Sequence, residues 1–257
     1  MGIIGGRAGY GLLRAIARTG RMRDRVGGGD SDTRLTQYFG PDLFHVIQGK
    51  TVIDFGCGTG RQAVEMAVKG AGRVIGLDLQ ANSLLAAREL AKQQSVMAHC
   101  TFATTTDELA DVIISKDAFE HFADPPAILR SMRSLLKPGG FVLAAFGPTW
   151  MHPYGGHLFS VFPWAHLLFT EEALIHWRSD FKTDGATRFS EVDGGLNEMT
   201  IRRFEEIVSN SPLEFEWIET IPIRGIRLFR HKSLREFGSS LVRCKLVPKK
   251  CQPHDDR

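Results

Sequence analysis

Short apolar runs alternate with amphipathic helical patterns between residues 51 and 146, and this alternation limits most strongly the folds open to the chain. Asp111–Ser115 is almost wholly apolar, as expected for a parallel strand that is buried on both faces. Between such runs, Asn82–Gln94 carries its apolar residues on one helical face. Repeated strand–helix units of this spacing predict an α/β fold, an open parallel sheet with helices on both faces.

The same pattern predicts seven strands. We expect the last of them to run antiparallel, so that the chain forms a Rossmann-like, mainly parallel sheet. A helix that opens at Asp124 is predicted to extend its apolar stripe as far as Leu136. The predicted strands are Thr51–Phe55, Arg73–Asp78, Val96–Ala103, Asp111–Ser115, Phe141–Phe146, Glu214–Ile221 and Ser240–Val247.

After Phe146 the alternation stops for about fifty residues. A connection of this length predicts an inserted lid or binding segment, residues 147–199, after the fifth strand. We therefore expect one domain over residues 34–250, followed by a tail at 251–257. A basic, glycine-rich N-terminal extension, residues 1–33, precedes it and contains a short amphipathic helix.

A glycine-rich loop, Asp54–Gly60, joins the first strand to its helix, and its glycines run GxGxG. Glycines let a ligand approach backbone amides closely, and the helix start supplies further N–H donors. Asp54 ends the strand, where a carboxylate can meet a cationic group. Asp78 ends the second strand, where it can accept hydrogen bonds from two ribose hydroxyls. The GxGxxG fingerprint of dinucleotide enzymes is incomplete.

The chain resembles the small-molecule branch of the class I S-adenosylmethionine-dependent methyltransferases in four segments that occur in order: Val52–Gly60, Gly76–Asp78, Asp111–His121 and Leu135–Gly140. The resemblance covers about Thr36 to Phe146 and, more loosely, the last two strands. It implies that S-adenosylmethionine is the cofactor and that the chain is an enzyme.

The resemblance also implies roles for individual residues. Asp54 and the backbone of the loop would hold the amino-acid end of the cofactor, Asp78 the ribose and Leu79 the adenine. Either Thr105 or Asp107 would read the adenine amino group. The full set of expected cofactor residues is Asp54, Gly56, Cys57, Gly58, Gly60, Asp78, Leu79, Thr105 and Ser115.

Methyl transfer mainly requires positioning, with a base needed when the acceptor is a hydroxyl. His121 follows the fourth strand and is the candidate base, with a structural role in fixing the loop as the alternative. Tyr38 or Phe39 is a candidate aromatic face for the sulfonium.

Ser115–Ala118 contains no Asn-Pro-Pro-Tyr-like segment, which disfavours amino-methylation of nucleic-acid bases or of protein glutamine. Oxygen is the first choice of acceptor atom and nitrogen the second.

The inserted segment is rich in histidines and aromatic residues, which suits a pocket for a partly apolar small molecule. No carboxylate accompanies the histidines at ligand spacing, so no metal site is predicted. The alternative is a lid that packs its aromatic residues on the sheet. The expected substrate-binding residues are His152, Tyr154, His157 and Trp164.

Both ends of the chain are basic: residues 222–250 carry nine Lys or Arg against one acid, Glu236. A solvated surface is the favoured interpretation, and contact with nucleic acid or an anionic surface is less favoured. Two alternative functions use these ends. One is an RNA methyltransferase that binds RNA through the 222–250 region. The other is a non-catalytic, S-adenosylmethionine-binding module that docks on a protein or an anionic membrane.

The four cysteines have no zinc-finger spacing and are too few for a disulfide framework, so we expect reduced thiols in a cytoplasmic protein. No apolar run reaches the length of a membrane span. The oligomeric state does not follow from the sequence.

Overall fold

The computed structural model describes residues 2–17, 34–192 and 194–250, and within them it has seven strands. The other residues, which include part of the predicted N-terminal extension and the predicted tail, lie outside the described part. The strands are β1 (Thr51–Phe55), β2 (Arg73–Leu77), β3 (Cys100–Ala103), β4 (Ala110–Lys116), β5 (Leu136–Phe146), β6 (Leu213–Pro222) and β7 (Ser239–Pro248).

The helices of the described residues flank the sheet or belong to the insertion. They are α1 (Gly6–Ala17), α2 (Leu35–Phe39), α3 (Leu43–Ile47), α4 (Arg61–Val68), α5 (Ala81–Gln93), α6 (Pro125–Ser134), α7 (Ala165–Leu168), α8 (Glu171–Arg178), α9 (Ile201–Ser209) and α10 (Arg235–Gly238). Four short 3-10 helices lie at His157–Phe159, Phe189–Glu191, Ile223–Gly225 and Arg227–Arg230.

The seven strands form one sheet in the order β3-β2-β1-β4-β5-β7-β6. Strands β1 to β5 pair in parallel, and β7 runs antiparallel to both β5 and β6. This confirms the predicted α/β fold with an antiparallel last strand. Because β6 is antiparallel to β7, it runs in the same direction as β1–β5 and ends at the same edge of the sheet.

Two predicted element boundaries are wrong. The third strand begins at Cys100 rather than Val96, because the amides of Val96 and His99 are bonded within a turn, to Ala91 and Val96. Leu136 belongs to β5 and not to the preceding helix. It pairs with Ala110 across a register shift that accommodates the Pro-Gly-Gly segment.

The core has two layers, one on each face of the sheet. On one face, Phe119, Phe146 and Phe204 pack with α6 and α9. On the other face, α3, α4 and α5 pack on β1, β2 and β4, with Val52 and Val74 fully buried. Both faces of the central strands are therefore covered, which explains their apolar sequences.

The N-terminal segment packs on the insertion. The amides of Ile3 and Ile4 donate to Leu168 O at 2.9 and 3.0 Å, and Thr170 N donates to Ile4 O at 2.9 Å. Helix α1 lies against α8, where Leu13 is fully buried in a cluster of insertion residues. Residues 2–17 and the insertion therefore form one unit.

This unit is fixed at the carboxyl edge of the sheet by Asn197. Its Nδ2 donates to the carbonyl oxygens of Phe119 and Phe122 at 2.7 and 2.8 Å, and its backbone amide donates to Glu120 O at 3.0 Å. The insertion therefore returns to the sheet beside the end of β4, over the edge where ligands bind in open α/β sheets. Among the described residues, no helix is long and apolar enough to span a membrane.

Candidate functional site

A cavity of about 790 Å³ opens at the carboxyl ends of β1, β2 and β4. It brings together six residues that the sequence predicts in a binding or catalytic role: Gly56, Asp78, Leu79, Thr105, its alternative Asp107, and His121. The other described lining residues are Phe55, Leu77, Gln80, Thr104, Thr106, Asp117, Ala118, Phe122, Ile128, Ser131, Ser134, Leu135 and Gly194.

The glycine loop is held against the end of β2, since the amides of Gly56 and Cys57 both donate to Leu77 O at 2.9 Å. Gly60 has φ +75°, and a Cβ there would lie 2.5 Å from the Cβ of Ala87. Gly58 also has positive φ, but a Cβ there would meet nothing within 4 Å. Gly60 is thus required by packing, whereas Gly58 borders open space that a ligand can enter.

Asp78 ties this loop to the second strand. One carboxylate oxygen accepts from Gly58 N and the other from Gln80 N, each at 2.8 Å. Because a carboxylate has about four acceptor sites, these bonds leave capacity for two hydroxyl donors. The next residue, Leu79, is 88% exposed at the rim of the cavity, where its apolar side chain is free to cover a flat ring.

Asp54 lies beneath the loop rather than in the wall of the cavity. Its side chain is fully buried, and neither carboxylate oxygen has a hydrogen-bond partner of ordinary geometry. Burial raises the pKa of Asp54 to about 7, an effect that the nearby Ala63 amide and Lys116 ammonium oppose. A buried carboxylate without a strong partner is suited to binding a cationic group.

Two predicted cofactor residues, Cys57 and Ser115, do not place their side chains in the cavity. The Cys57 thiol packs in the core over Gly76, whose added Cβ would lie 2.9 Å from Sγ. Burial raises the pKa of this thiol far above its usual range, which keeps it protonated. Ser115 is fully buried in β4, and its Oγ has no hydrogen-bond partner.

His121 does line the cavity, and its tautomer follows from one contact. Nδ1 lies 2.7 Å from Gly195 O. A carbonyl oxygen can only accept, so Nδ1 carries a proton and Nε2 is the ring nitrogen that can act as an acceptor. His157 of the insertion packs edge-to-face on the ring, with the centroids 5.4 Å apart.

The four predicted substrate residues of the insertion are not among the cavity-lining residues. Trp164 Nε1 donates to Met151 O at 3.0 Å, and His152 Nδ1 accepts from Tyr154 N at 3.0 Å, so these side chains support the insertion itself. Burial lowers the pKa of His152 and of His157 to about 4, so both are neutral at pH 7. His157 reaches the cavity only through its contact with His121. The described residues contain no cluster suited to a metal ion.

A small charged cluster lies beside the site, at the end of β4. Lys116 pairs with Asp117 and places its ammonium 4.3 Å from the centre of the Tyr38 ring. Tyr38, predicted as a candidate partner of the sulfonium, thus faces a cation from the protein. Glu120 is buried, with one unpartnered oxygen, and burial raises its pKa to about 8.

Sequence reasoning missed one wall of the cavity, which helix α6 supplies. Ile128, Ser131, Ser134 and Leu135 have helical spacing, which could have shown that they share a face. Their proximity to β2 depends on how α6 packs, which local patterns do not specify.

A family model described as "Methyltransferase domain" matches residues 47–150. Residues 47–150 form a class I S-adenosylmethionine-dependent methyltransferase domain. Phosphoethanolamine N-methyltransferase of Triticum aestivum is 39% identical over 107 residues, which cover 40% of this chain and 21% of that protein. Ubiquinone biosynthesis O-methyltransferase of Cereibacter sphaeroides is 35% identical over 138 residues, which cover 45% of this chain and 55% of that protein.

The chain has the same fold as solved structures of low sequence identity. A geranyl diphosphate C-methyltransferase from Streptomyces coelicolor has a TM-score of 0.53 at 15% identity, over 81% of this chain and 74% of that one. An S-adenosylmethionine-dependent methyltransferase from Mesorhizobium loti has a TM-score of 0.52 at 15% identity, over 85% and 98%.

The matched part of the methyltransferase domain contains the glycine loop, Asp78 and His121, and it ends just inside the insertion. The chain spans about a fifth to a half of the length of the curated relatives that it matches. Most of the insertion and the whole β6–β7 connection lie outside the matched segment.

Proposed function

We propose that this chain transfers a methyl group from S-adenosylmethionine to a hydroxyl or amine of a small molecule. The observation that carries the proposal is that one cavity joins the Asp78-braced glycine loop to His121. The glycine loop with Asp78 suits a nucleoside that has a cationic amino-acid end, and His121 suits removal of a proton from an acceptor.

The described residues fit the cofactor. Asp54 offers a buried carboxylate without a strong partner, Gly58 leaves space beside the loop, and Asp78 retains acceptor capacity. Leu79 would cover the adenine, and Thr105 or Asp107 would read its amino group. When bound, S-adenosylmethionine supplies a methyl group that is already activated by its sulfonium.

His121 acts as the base when the acceptor is a hydroxyl. Gly195 O fixes the Nδ1–H tautomer, so Nε2 holds the lone pair that receives the proton. His157 packs against the ring and restricts its rotation. A neutral amine attacks without a base, so the response of His121 variants distinguishes the two kinds of acceptor.

The acceptor is a partly apolar small molecule. Phe55, Phe122, Ile128 and Leu135 give the cavity an apolar wall, and the insertion closes the edge above it. The two curated relatives carry oxygen and nitrogen methyltransferase names, which supports keeping both acceptor atoms in the proposal.

The full chain, incubated with S-adenosylmethionine and fractionated metabolites, tests the proposal. We expect S-adenosylhomocysteine together with a product that is heavier by one methylene group. His121→Gln should lower kcat for a hydroxyl acceptor by about 10²-fold or more, with little change in cofactor affinity. His176→Gln is the control, because this histidine stacks on Tyr10 away from the cavity.

Two outcomes would overturn the proposal. Cofactor binding without turnover on any fraction would favour the non-catalytic module. Methyl label that appears in RNA and not in small molecules would favour the RNA methyltransferase. An unchanged kcat in His121→Gln would leave the reaction intact but assign it to an amine.

A further inference from the structure

The connection between β6 and β7, residues 223–238, carries exposed cations that methyl transfer does not use. Arg224, Arg227, Arg230 and Lys232 are exposed, and none has an ion-pair partner among the described residues. The fifth cation, Arg235, is paired with Glu205 at 2.5 Å. No acidic residue occurs between positions 220 and 235. This connector thus presents a locally uncompensated positive charge.

Two aliphatic side chains stand between these cations. Ile226 is 45% exposed and Leu228 is 65% exposed. Phe229, by contrast, lies over Gly238, where an added Cβ would come within 2.0 Å of its ring. The connector is therefore anchored by Phe229 and turns Ile226 and Leu228 outward together with its arginines, while its second aromatic residue, Phe237, is 40% exposed.

The connector lies at the edge of the sheet where the cavity opens. Strand β6 runs parallel to β1–β5, so Pro222 is at the carboxyl edge and the connector follows directly. Glu236 accepts from the amides of Ile201 and Arg202 at 3.0 and 2.7 Å, which joins the connector to the point where the insertion ends. A surface bound by the connector would thus face the same edge as the insertion.

We propose that the connector docks this edge of the protein on an anionic lipid bilayer. Unpaired arginines complement the surface charge of anionic lipid, and each cation near such a surface strengthens binding by about fivefold. Ile226 and Leu228 supply aliphatic groups that enter the interface between headgroups and acyl chains. Nucleic acid would favour exposed aromatic residues for stacking, whereas the exposed apolar side chains between these arginines, Ile226 and Leu228, are aliphatic. The proposal goes beyond methyl transfer and does not depend on it.

Vesicle flotation of the full chain tests this docking, using phosphatidylcholine vesicles and vesicles of equal parts phosphatidylcholine and phosphatidylglycerol. We expect binding to the anionic vesicles only, weakened by added salt. The triple variant Arg224→Gln/Arg227→Gln/Arg230→Gln should bind about a hundredfold more weakly. The matched control Lys69→Gln/Lys92→Gln/Arg130→Gln removes equal charge from helices that flank the sheet and should bind much as the unmodified chain does.

The aliphatic variant Ile226→Ser/Leu228→Ser separates insertion from simple charge attraction. It keeps every charge and should still bind about tenfold more weakly, because two apolar side chains no longer enter the interface. Calorimetric titration with S-adenosylmethionine should be unchanged in all variants, which shows that they are folded. Failure to bind anionic vesicles, or unchanged binding by the aliphatic variant, would overturn the proposal. So would tighter binding to bulk RNA that is insensitive to the aliphatic change.

Discussion

Asp54 places a carboxylate at the end of β1 where the protein excludes water. Its pKa, raised by burial to about 7, means that about half of the molecules carry a proton on it at neutral pH. Binding an ammonium group beside it requires the ionised form. If Asp54 holds the cofactor as proposed, proton release and cofactor binding are therefore linked at this residue.

The affinity for S-adenosylmethionine should consequently rise with pH through the range below 7. The slope approaches about tenfold per pH unit once Asp54 is mostly protonated. Calorimetric titration of the full chain at several pH values measures this slope. Repetition in buffers with different ionisation enthalpies measures the released proton.

Asp54→Asn should bind weakly and lose the pH slope, because the amide does not titrate. Glu120→Gln is the matched control, since Glu120 is also buried with a raised pKa but lies outside the glycine loop Asp54–Gly60. It should keep the slope. A slope that survives in Asp54→Asn would assign the linked proton to another group.

At the scale of elements, α1 acts as part of the insertion. Leu13 is fully buried there, whereas its neighbour Leu12 is 45% exposed. Around this contact, Tyr10 stacks on His176 at 3.9 Å and Arg14 pairs with Asp180 at 3.3 Å. The insertion thus depends on a segment that is distant in sequence.

Leu13→Ala should destabilise this unit by about 2–4 kcal/mol, the usual cost of a buried Leu-to-Ala change. Amide hydrogen exchange, read by mass spectrometry, should rise across 150–178 and stay unchanged in β1 and β4. Leu12→Ala, the control, should change neither region. Equal acceleration in the sheet would mean that α1 stabilises the whole domain instead.

The elements themselves were largely predictable, because periodicity reports burial along a short stretch. Strands β1 and β4 and helix α5 match their predicted positions within two residues. The contact of α1 with α8 was not predictable, since no local pattern links residues so far apart. The same limit explains why Trp164 and His152 were assigned to substrate. An aromatic, histidine-rich segment has the same composition whether it lines a pocket or packs on itself.

For the whole molecule, two sets of buried groups give stability opposite pH dependences. His152, His157 and His166 have pKa values lowered by burial. They take up protons on unfolding, so they cost stability as pH falls below about 6.5. Asp54 and Glu120 have raised pKa values and release protons on unfolding. They therefore lower the free energy of unfolding as the pH rises from their ordinary pKa values, to about 7 for Asp54 and to about 8 for Glu120.

Above about pH 7 the histidines are largely neutral in both states, so the carboxyls dominate the slope. The free energy of unfolding should fall between pH 7 and 8, with about 1 kcal/mol of the fall due to Glu120. Urea denaturation at closely spaced pH values measures it. Glu120→Gln should remove most of this fall, whatever its effect on absolute stability, because the amide has no proton to lose.

His157→Gln is the counterpart with the opposite sign. It should leave the fall above about pH 7 nearly unchanged and reduce the loss of stability on the acidic side, where His157 takes up a proton on unfolding. If Glu120→Gln and His157→Gln changed the free energy of unfolding on the same side of neutral pH, burial would not be the origin of both pKa shifts. Separate arms would show that the charged cluster at the end of β4 and the histidines of the insertion limit stability independently, on either side of neutrality.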